Sequence, residues 1–281
     1  MSTAVFAMIL GAALIHATWN AIVKSDADRL ALMAAMAATQ LALAACLLPL
    51  VAFPAAASWP YLIASSFVST GYWLFLNWAY HFGDLSHVYP FARGIAPLIV
   101  AVVSVGFLGE ELSRNGQTAV LLIALGVASL ALTRGTAGFR DPRPVALAMV
   151  TGSFTAAYTI IDAVGARASG SAHGYMAWAT LLTSILTIGC LHRLRGGRRR
   201  AVGERSRRAG VAAGILSYAT SWLIVWALTL APIALVSALR ETGIVFAVII
   251  GVVFLRERVS LARLASIATT VIGATFLKLS R

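Results

Sequence analysis

Ten separate runs of about twenty mostly apolar residues fill this chain, and nothing else in it limits the fold as strongly. They lie at about 4–23, 30–53, 59–81, 86–108, 116–133, 145–165, 173–191, 209–230, 233–255 and 261–278. A helix needs roughly 20 apolar residues to cross a hydrocarbon core of about 30 Å, and a single segment there must satisfy its own backbone N–H and C=O groups. The pattern predicts an all-α integral membrane protein of ten transmembrane helices. Only 11% of the 281 residues are charged, against about 25% in soluble domains, so no stretch is left for a soluble domain. Met1-Ser2-Thr3 lacks the basic segment of a cleaved leader, and the first run is expected to stay as a span. Cys46 and Cys190 fall inside apolar runs and read as small core residues, because their spacing suits neither a metal site nor a disulfide framework.

Charge placement sets an expected orientation. Loops after helices 1, 3, 5, 7 and 9 carry sixteen Lys and Arg, whereas the termini and remaining loops carry four: Arg114, Arg167, Lys278 and Arg281. The positive-inside rule then puts the first set in the cytoplasm and both termini outside, in a bacterial inner membrane. The densest cluster, HRLRGGRRRAVGERSRR at 192–208, joins two spans. There it reads as a contact for anionic lipid headgroups; the formal charge of +12 gives no reason to invoke nucleic acid. A homodimer is compatible with the sequence.

A shift of 147 positions lays FLGEELS (107–113) on FLRERVS (254–260), with Phe107, Leu108, Glu110 and Ser113 matching identically. The same shift carries Gly126 onto Gly273, Leu130 onto Leu277 and Arg93 onto Arg240. The expected organisation is a five-helix repeat over 1–133, a polar linker at 134–144 and a second repeat over 145–281. Five is odd, so the halves start on opposite sides of the membrane. Inverted repeats of this kind serve alternating access in secondary transporters, with substrate near the midplane between the halves.

The five-plus-five plan, FLGEELS with its echo FLRERVS, and the opening HATWNAIVK (16–24) resemble the drug/metabolite transporter superfamily in its EamA-like branch. HATWNAIVK together with VYPFARGIAP and ALRETG is further similar to permeases found with phosphonate-utilisation systems. The resemblance covers essentially the whole chain. It implies a secondary transporter or permease rather than an enzyme, with a small-molecule substrate and no cofactor. One departure stands out: Glu241 aligns with Gly94, so an acid follows the arginine in one half only.

Arg93 and Arg240 are the residues most in need of a reason. At 1.5 Å per residue from its helix start, each lies about 10 Å into the membrane, where an arginine costs about 2.5 to 3.5 kcal/mol on insertion scales. Both must therefore face partners or water. One reading pairs Arg93 with Glu241, and Arg240 with Asp162 or helix carbonyls. The other has a guanidinium face a cavity and receive an anion with its bidentate fork. His16 and Asn20 recur four residues apart on helix 1, with Trp19 beside them. They complete a candidate substrate site with Tyr89, Asn77, Tyr218 and Trp222, the last two along one face of helix 8. Glu241 and Asp162 are the carboxylates placed to couple transport to protons or ions. No group of residues has metal-ligand spacing and none pairs a nucleophile with a base, so no catalytic residue is assigned and a membrane-embedded enzyme is the remoter class. The nearer rival is a proton-coupled exporter of amphipathic or cationic compounds on the same fold. Pro90 and Pro97, flanking Arg93, mark helix 4 as the expected place for a bend.

Overall fold

The structure is a computed structural model and describes residues 1–24, 28–79, 85–130, 142–194, 203–255 and 260–279. Those residues form eleven α-helices and no strand: Thr3–Lys24 (α1), Arg29–Leu47 (α2), Trp59–Ala79 (α3), Leu85–Gly106 (α4), Arg114–Ser129 (α5), Pro142–Ala168 (α6), Ala172–Leu194 (α7), Glu204–Leu230 (α8), Ile233–Arg240 (α9), Gly243–Leu255 (α10) and Leu261–Leu279 (α11). Residues 134–141 of the expected linker and 195–202 of the arginine-rich loop lie outside the described residues.

Seven stretches among the described residues are long and apolar enough to cross a membrane, and Ala92–Gly106 adds a shorter apolar helix. The sequence runs had suggested ten full spans. The 16 residues of α5 reach about 24 Å at 1.5 Å per residue, short of the roughly 30 Å hydrocarbon core.

The ninth apolar run is two helices, a difference from the expected single span. Pro232 stands at the N-cap of α9, and all eight residues of α9 are buried. At its end the ladder tightens to i→i−3 bonds, Glu241 N–H to the Ala238 carbonyl at 3.0 Å and Thr242 N–H to that of Leu239 at 3.1 Å. A 3₁₀ turn of this kind inside a helix is a point of altered direction. Gly243 restarts the chain as α10 where α1 passes close by: a Cβ there would stand 3.1 Å from the Ala13 carbonyl oxygen. By contrast α4 continues from Leu85 to Gly106 through both Pro90 and Pro97. The interruption thus falls beside Arg240, not beside Arg93.

Helix packing brings distant segments together. The helix α1 lies against α8 and α10, α3 against α6 and α7, α2 against α7 and α8, and α4 against α5, α6 and α9. The core collects Ile9, Val100, Ile123, Val127, Leu228, Ile233, Val236 and Leu239, drawn from α1, α4, α5 and α8 and from α9 itself. Cys46 is exposed, which corrects the reading of both cysteines as core residues. Apolar composition in a membrane chain does not separate a face turned to lipid from one turned to protein.

The motif FLGEELS has a structural task at this stage. Gly109 adopts φ +67°, the left-handed region that suits glycine, at the turn after α4. The next residue, Glu110, accepts the Ile233 N–H at 2.8 Å on Oε2 and pairs through Oε1 with Arg167 Nη1 at 2.7 Å. Arg167 in turn donates to the carbonyls of Leu228 and Ala231, both at 2.9 Å. One carboxylate and one guanidinium thereby satisfy the backbone groups exposed where α8 ends and α9 begins. They also complement the partial charges of those two helix ends.

Helices α5 and α11 approach each other closely. A Cβ on Gly126 would lie 2.5 Å from Thr270 Oγ1 and 2.7 Å from the Thr270 nitrogen, and one on Gly273 would lie 2.8 Å from Ile123 Cγ1. Ser129 and Ser266 hydroxyls meet across the same contact at 2.7 Å. Small residues allow this approach, and in an apolar solvent van der Waals packing is the main force that holds such a contact. Gly126→Val should therefore lower stability by about 1–3 kcal/mol, the cost of overpacking a tight interface. Thermal unfolding in detergent measures it, and an unchanged melting temperature would contradict the packing described.

Candidate functional site

Seven helices, α1, α3, α4, α6, α7, α8 and α9, contribute to the lining of a cavity of about 250 Å³, to which α2 adds Met33, Met36 and Gln40. That volume admits a small metabolite and falls below the roughly 300–1,000 Å³ of drug-sized sites. The chain reaches it with polar residues from apolar helices: His16 and Asn20 from α1, Arg93 from α4, Asp162 from α6 and Arg240 from α9.

The charged group beside the cavity has three members. Glu241 is fully buried, and its Oε2 lies 2.5 Å from Arg93 Nε while its Oε1 lies 3.5 Å from Arg240 Nε. Neither carboxylate oxygen has an aligned hydrogen-bond donor among the described residues, so both contacts hold mainly by charge. Two guanidiniums therefore share one carboxylate, so this three-member cluster, taken without the separate Asp162, carries one positive charge in excess. Arg240 is 7% exposed, and its Nε and Nη2 have no hydrogen-bond partner among the described residues. Its guanidinium also stands 5.9 Å over the Tyr158 ring, within reach of a cation–π attraction.

Arg93 extends the group to α1. Its Nη1 lies 3.1 Å from His16 Nε2. A guanidinium carries donors only, so Nε2 accepts and the imidazole proton belongs on Nδ1, which makes His16 neutral in this arrangement. The His16 ring meets Trp19 edge to face at 4.9 Å, and Trp19 packs against Trp73 at 6.4 Å. Asn20 Nδ2 donates to the His16 carbonyl at 2.8 Å, tying that amide to its own helix.

Asp162 enters separately. Its Oδ1 accepts the Tyr175 hydroxyl at 3.1 Å, and Ser65 supplies a second hydroxyl. No basic side chain stands within ion-pair distance of it among the described residues.

The structure thus gathers Arg93, Arg240, His16, Asn20, Trp19 and Asp162 at one cavity. It places Glu241 behind them, away from the cavity surface, with 0% exposure. Tyr218 is buried on α8 but does not border the cavity, and neither does Trp222, whose Nε1 donates to His173 Nδ1 at 2.7 Å. The i, i+4 stripe on helix 8 continues to Trp226, and both tryptophans are more than one-third exposed, so that edge of α8 faces outward. The side chains of Asn77 and Tyr89 lie outside the described residues. Among the lining residues absent from the sequence reading are Tyr158 and Thr180. Tyr158 stands four residues before Asp162 and hence on the same helical face, a signal that was available.

Residues 143–279 match the family model described as the EamA-like transporter family. The chain carries an EamA-like transporter domain. EamA-like proteins are membrane transporters of the drug/metabolite type, so this is an integral membrane protein with a transport function. Among curated proteins none matches. A solved crystal structure, named only as that of a protein, has a TM-score of 0.79 to this chain at 19% identity, covering 100% of this chain and 99% of its own. At that identity the likeness shows a shared fold. It extends the helical arrangement over the first half of this EamA-like chain, which the family match does not reach.

The ion pair invites a double substitution. Arg93→Gln should destabilise the protein by about 3 kcal/mol, because it leaves the buried Glu241 with only the more distant Arg240. Adding Glu241→Gln should recover most of that loss, since the orphaned carboxylate is what costs the energy. Unfolding midpoints of the two single variants and the double variant measure the coupling; strict additivity would show that Arg93 and Glu241 do not depend on each other.

Proposed function

We propose that this EamA-like protein is a secondary transporter that moves a small metabolite bearing an anionic group across the bacterial inner membrane by alternating access. The observation that carries the reading is the cationic cluster at one side of the cavity: two guanidiniums around one buried carboxylate, and Arg240 nitrogens without a hydrogen-bond partner among the described residues. In a site shielded from bulk water, an excess cation attracts an anion far more strongly than at a surface. A planar guanidinium holds a carboxylate or phosphonate by two parallel N–H bonds.

Alternating access rests on a two-fold relation between halves of five spans, taking α9 and α10 as one. Gly126 meets Thr270 while Gly273 meets Ile123. A shift of 147 converts each of these contacts into the other, the signature of a self-complementary interface about a two-fold axis. The pairing of α1 with α8 is answered by α6 with α3, and that of α2 with α8 by α7 with α3. On this scheme both termini face outward, residues 192–208 rest on anionic headgroups, and the broken span beside Arg240 is the flexible element. Glu241 and Asp162 are the carboxylates available for coupling to protons.

The rival cargo, an amphipathic cation, gains support from Asp162 and from the aromatic walls Tyr72, Trp73 and Tyr158. It requires the arginines to be withdrawn from the cavity, and both border it. A panel of short carboxylates, phosphonates and alkylamines tested for thermal stabilisation of the purified protein separates the two. Anions should stabilise it, by about 2.7 kcal/mol at a hundred times their Kd. Arg240→Gln should weaken their binding roughly tenfold to a hundredfold, the loss of a charged hydrogen bond. Stabilisation by amines alone, unaffected by Arg240→Gln, would overturn the assignment.

A further inference from the structure

We propose that Glu110 and Arg167 form a charged clasp that shuts one end of the cavity and must break before the cavity opens on that side. This rests on the alternating access proposed above and is independent of the charge of the cargo.

The clasp joins the two halves of the chain. Glu110 follows α4 in the first half, whereas Arg167 and Ile233 belong to the second. Both carboxylate oxygens cross between them, Oε1 to Arg167 Nη1 at 2.7 Å and Oε2 to the Ile233 N–H at 2.8 Å. Arg167 carries the connection on to the Leu228 and Ala231 carbonyls at the end of α8. A further link crosses at the end of α6, where the Ala55 N–H donates to the Ser169 carbonyl at 3.0 Å. One half cannot swing away from the other at this end while these contacts hold.

The helix α8 shows where the clasp lies relative to the cavity. Ala213, early in α8, packs with Trp19 late in α1 and with Leu32 and Met36 early in α2. Leu228 stands fifteen residues further along, about 22 Å at 1.5 Å per residue. The cavity lining spans those levels, from Val23, Met33 and Met36 at one extreme to Leu228 at the other. Leu228 thus borders the cavity and also gives its carbonyl to Arg167 Nε at 2.9 Å. The clasp therefore lies across the end of the cavity at which α1 starts, the outward end on the topology proposed above.

Its strength suits a contact that makes and breaks. The Arg167 and Glu110 side chains are 37% and 11% exposed, against 10% and 0% for Arg93 and Glu241. Parting the deeper pair strands a charge in an apolar site, whereas parting the clasp returns a guanidinium to water, where ion pairs are weak. Water can also take up the Ile233 N–H and the Leu228 and Ala231 carbonyls once they are released at their helix ends.

Accessibility of a thiol inside the cavity tests the clasp without any substrate. Ser65 lines the cavity from α3 and is 3% exposed; Ser65→Cys is built into full-length protein carrying Cys46→Ala and Cys190→Ala. Membrane-impermeant 2-(trimethylammonium)ethyl methanethiosulfonate is applied to intact cells and to inverted membrane vesicles, and the remaining thiol is measured after denaturation. An epitope tag on the N-terminus, which lies at the clasp end, reports which side that end occupies. With Glu110 and Arg167 intact, reaction from the clasp side should be slow. Glu110→Gln keeps an acceptor for the Ile233 N–H but loses the charge, and it should speed that reaction roughly tenfold or more, as the loss of a charged hydrogen bond implies. Arg167→Gln should act alike, and reaction from the opposite side should fall in both variants as the population shifts. Amide hydrogen exchange over residues 231–236 should rise in both, a reading free of thiol chemistry. Should a glutamine variant fail to fold, Arg167→Lys carries the comparison, with a smaller rise expected because the charge is kept. Fast clasp-side reaction in the parent protein, or rates and exchange unchanged in the folded variants, overturns the clasp and leaves the anion reading standing. A thiol that reacts from neither side in any variant contradicts alternating access, and the clasp with it.

Discussion

Glu241 held between two arginines is the contact on which the site depends. A carboxylate with no exposure cannot remain ionised in an apolar bundle without a cation beside it, and Arg93 supplies one at 2.5 Å. Arg240, attached one residue away on the same chain, is drawn to the same group at 3.5 Å but does not share it in an aligned bond. One acid therefore fixes Arg93 and leaves Arg240 with capacity to bind something else. The asymmetry begins in the sequence, where Gly94 occupies the position in the first half that Glu241 occupies in the second. At Gly94 a side chain would strike Ala128, its Cβ 2.6 Å from that of Ala128. Packing in the first half excludes the acid that the second half requires.

The rest of the fold serves to present this cluster. The helix α9 carries Arg240 into the core, buried on all sides, and ends in the 3₁₀ turn that contains Glu241. Its other end is anchored by Glu110 and Arg167, which hold the α8–α9 junction through four contacts. A short helix pinned at one end and loosened at the other by a change of hydrogen-bond pattern is a mechanical element that a bound charge can bias. Motion in this region would displace Arg240 and Glu241 together, so on the proposed function binding and shape would be linked without a separate signal.

Much of this was legible in the amino-acid sequence, because membrane solvation punishes the wrong residue so heavily. Arg93, Arg240, His16, Asn20 and Asp162 stood out as polar groups in apolar runs, and all five border the cavity. The pairing of Arg93 with Glu241 followed from the scarcity of buried acids. Where the cost of misplacement is small, the reading failed. A helix face rich in aromatic residues looks the same whether it meets lipid or substrate, and Trp222 turned out to bond His173 away from the cavity. Cys46 was misplaced for the same reason. The break after Arg240 has no proline to signal it, since Glu241-Thr242-Gly243 contains none, whereas α4 absorbs Pro90 and Pro97 without interruption. Neighbouring helices decide whether a proline bends a span, and one helix's sequence does not contain them.

The central claim is that a small anion takes its place beside Arg240 inside the chamber. Anomalous diffraction from crystals soaked in bromomethylphosphonate tests it directly, since bromine marks the ligand without reference to activity. A bromine peak within the cavity, with the phosphonate oxygens against the Arg240 guanidinium, is the predicted result. A vacant cavity with Arg240 closed onto Asp162 or Glu241 in aligned hydrogen bonds would contradict the account.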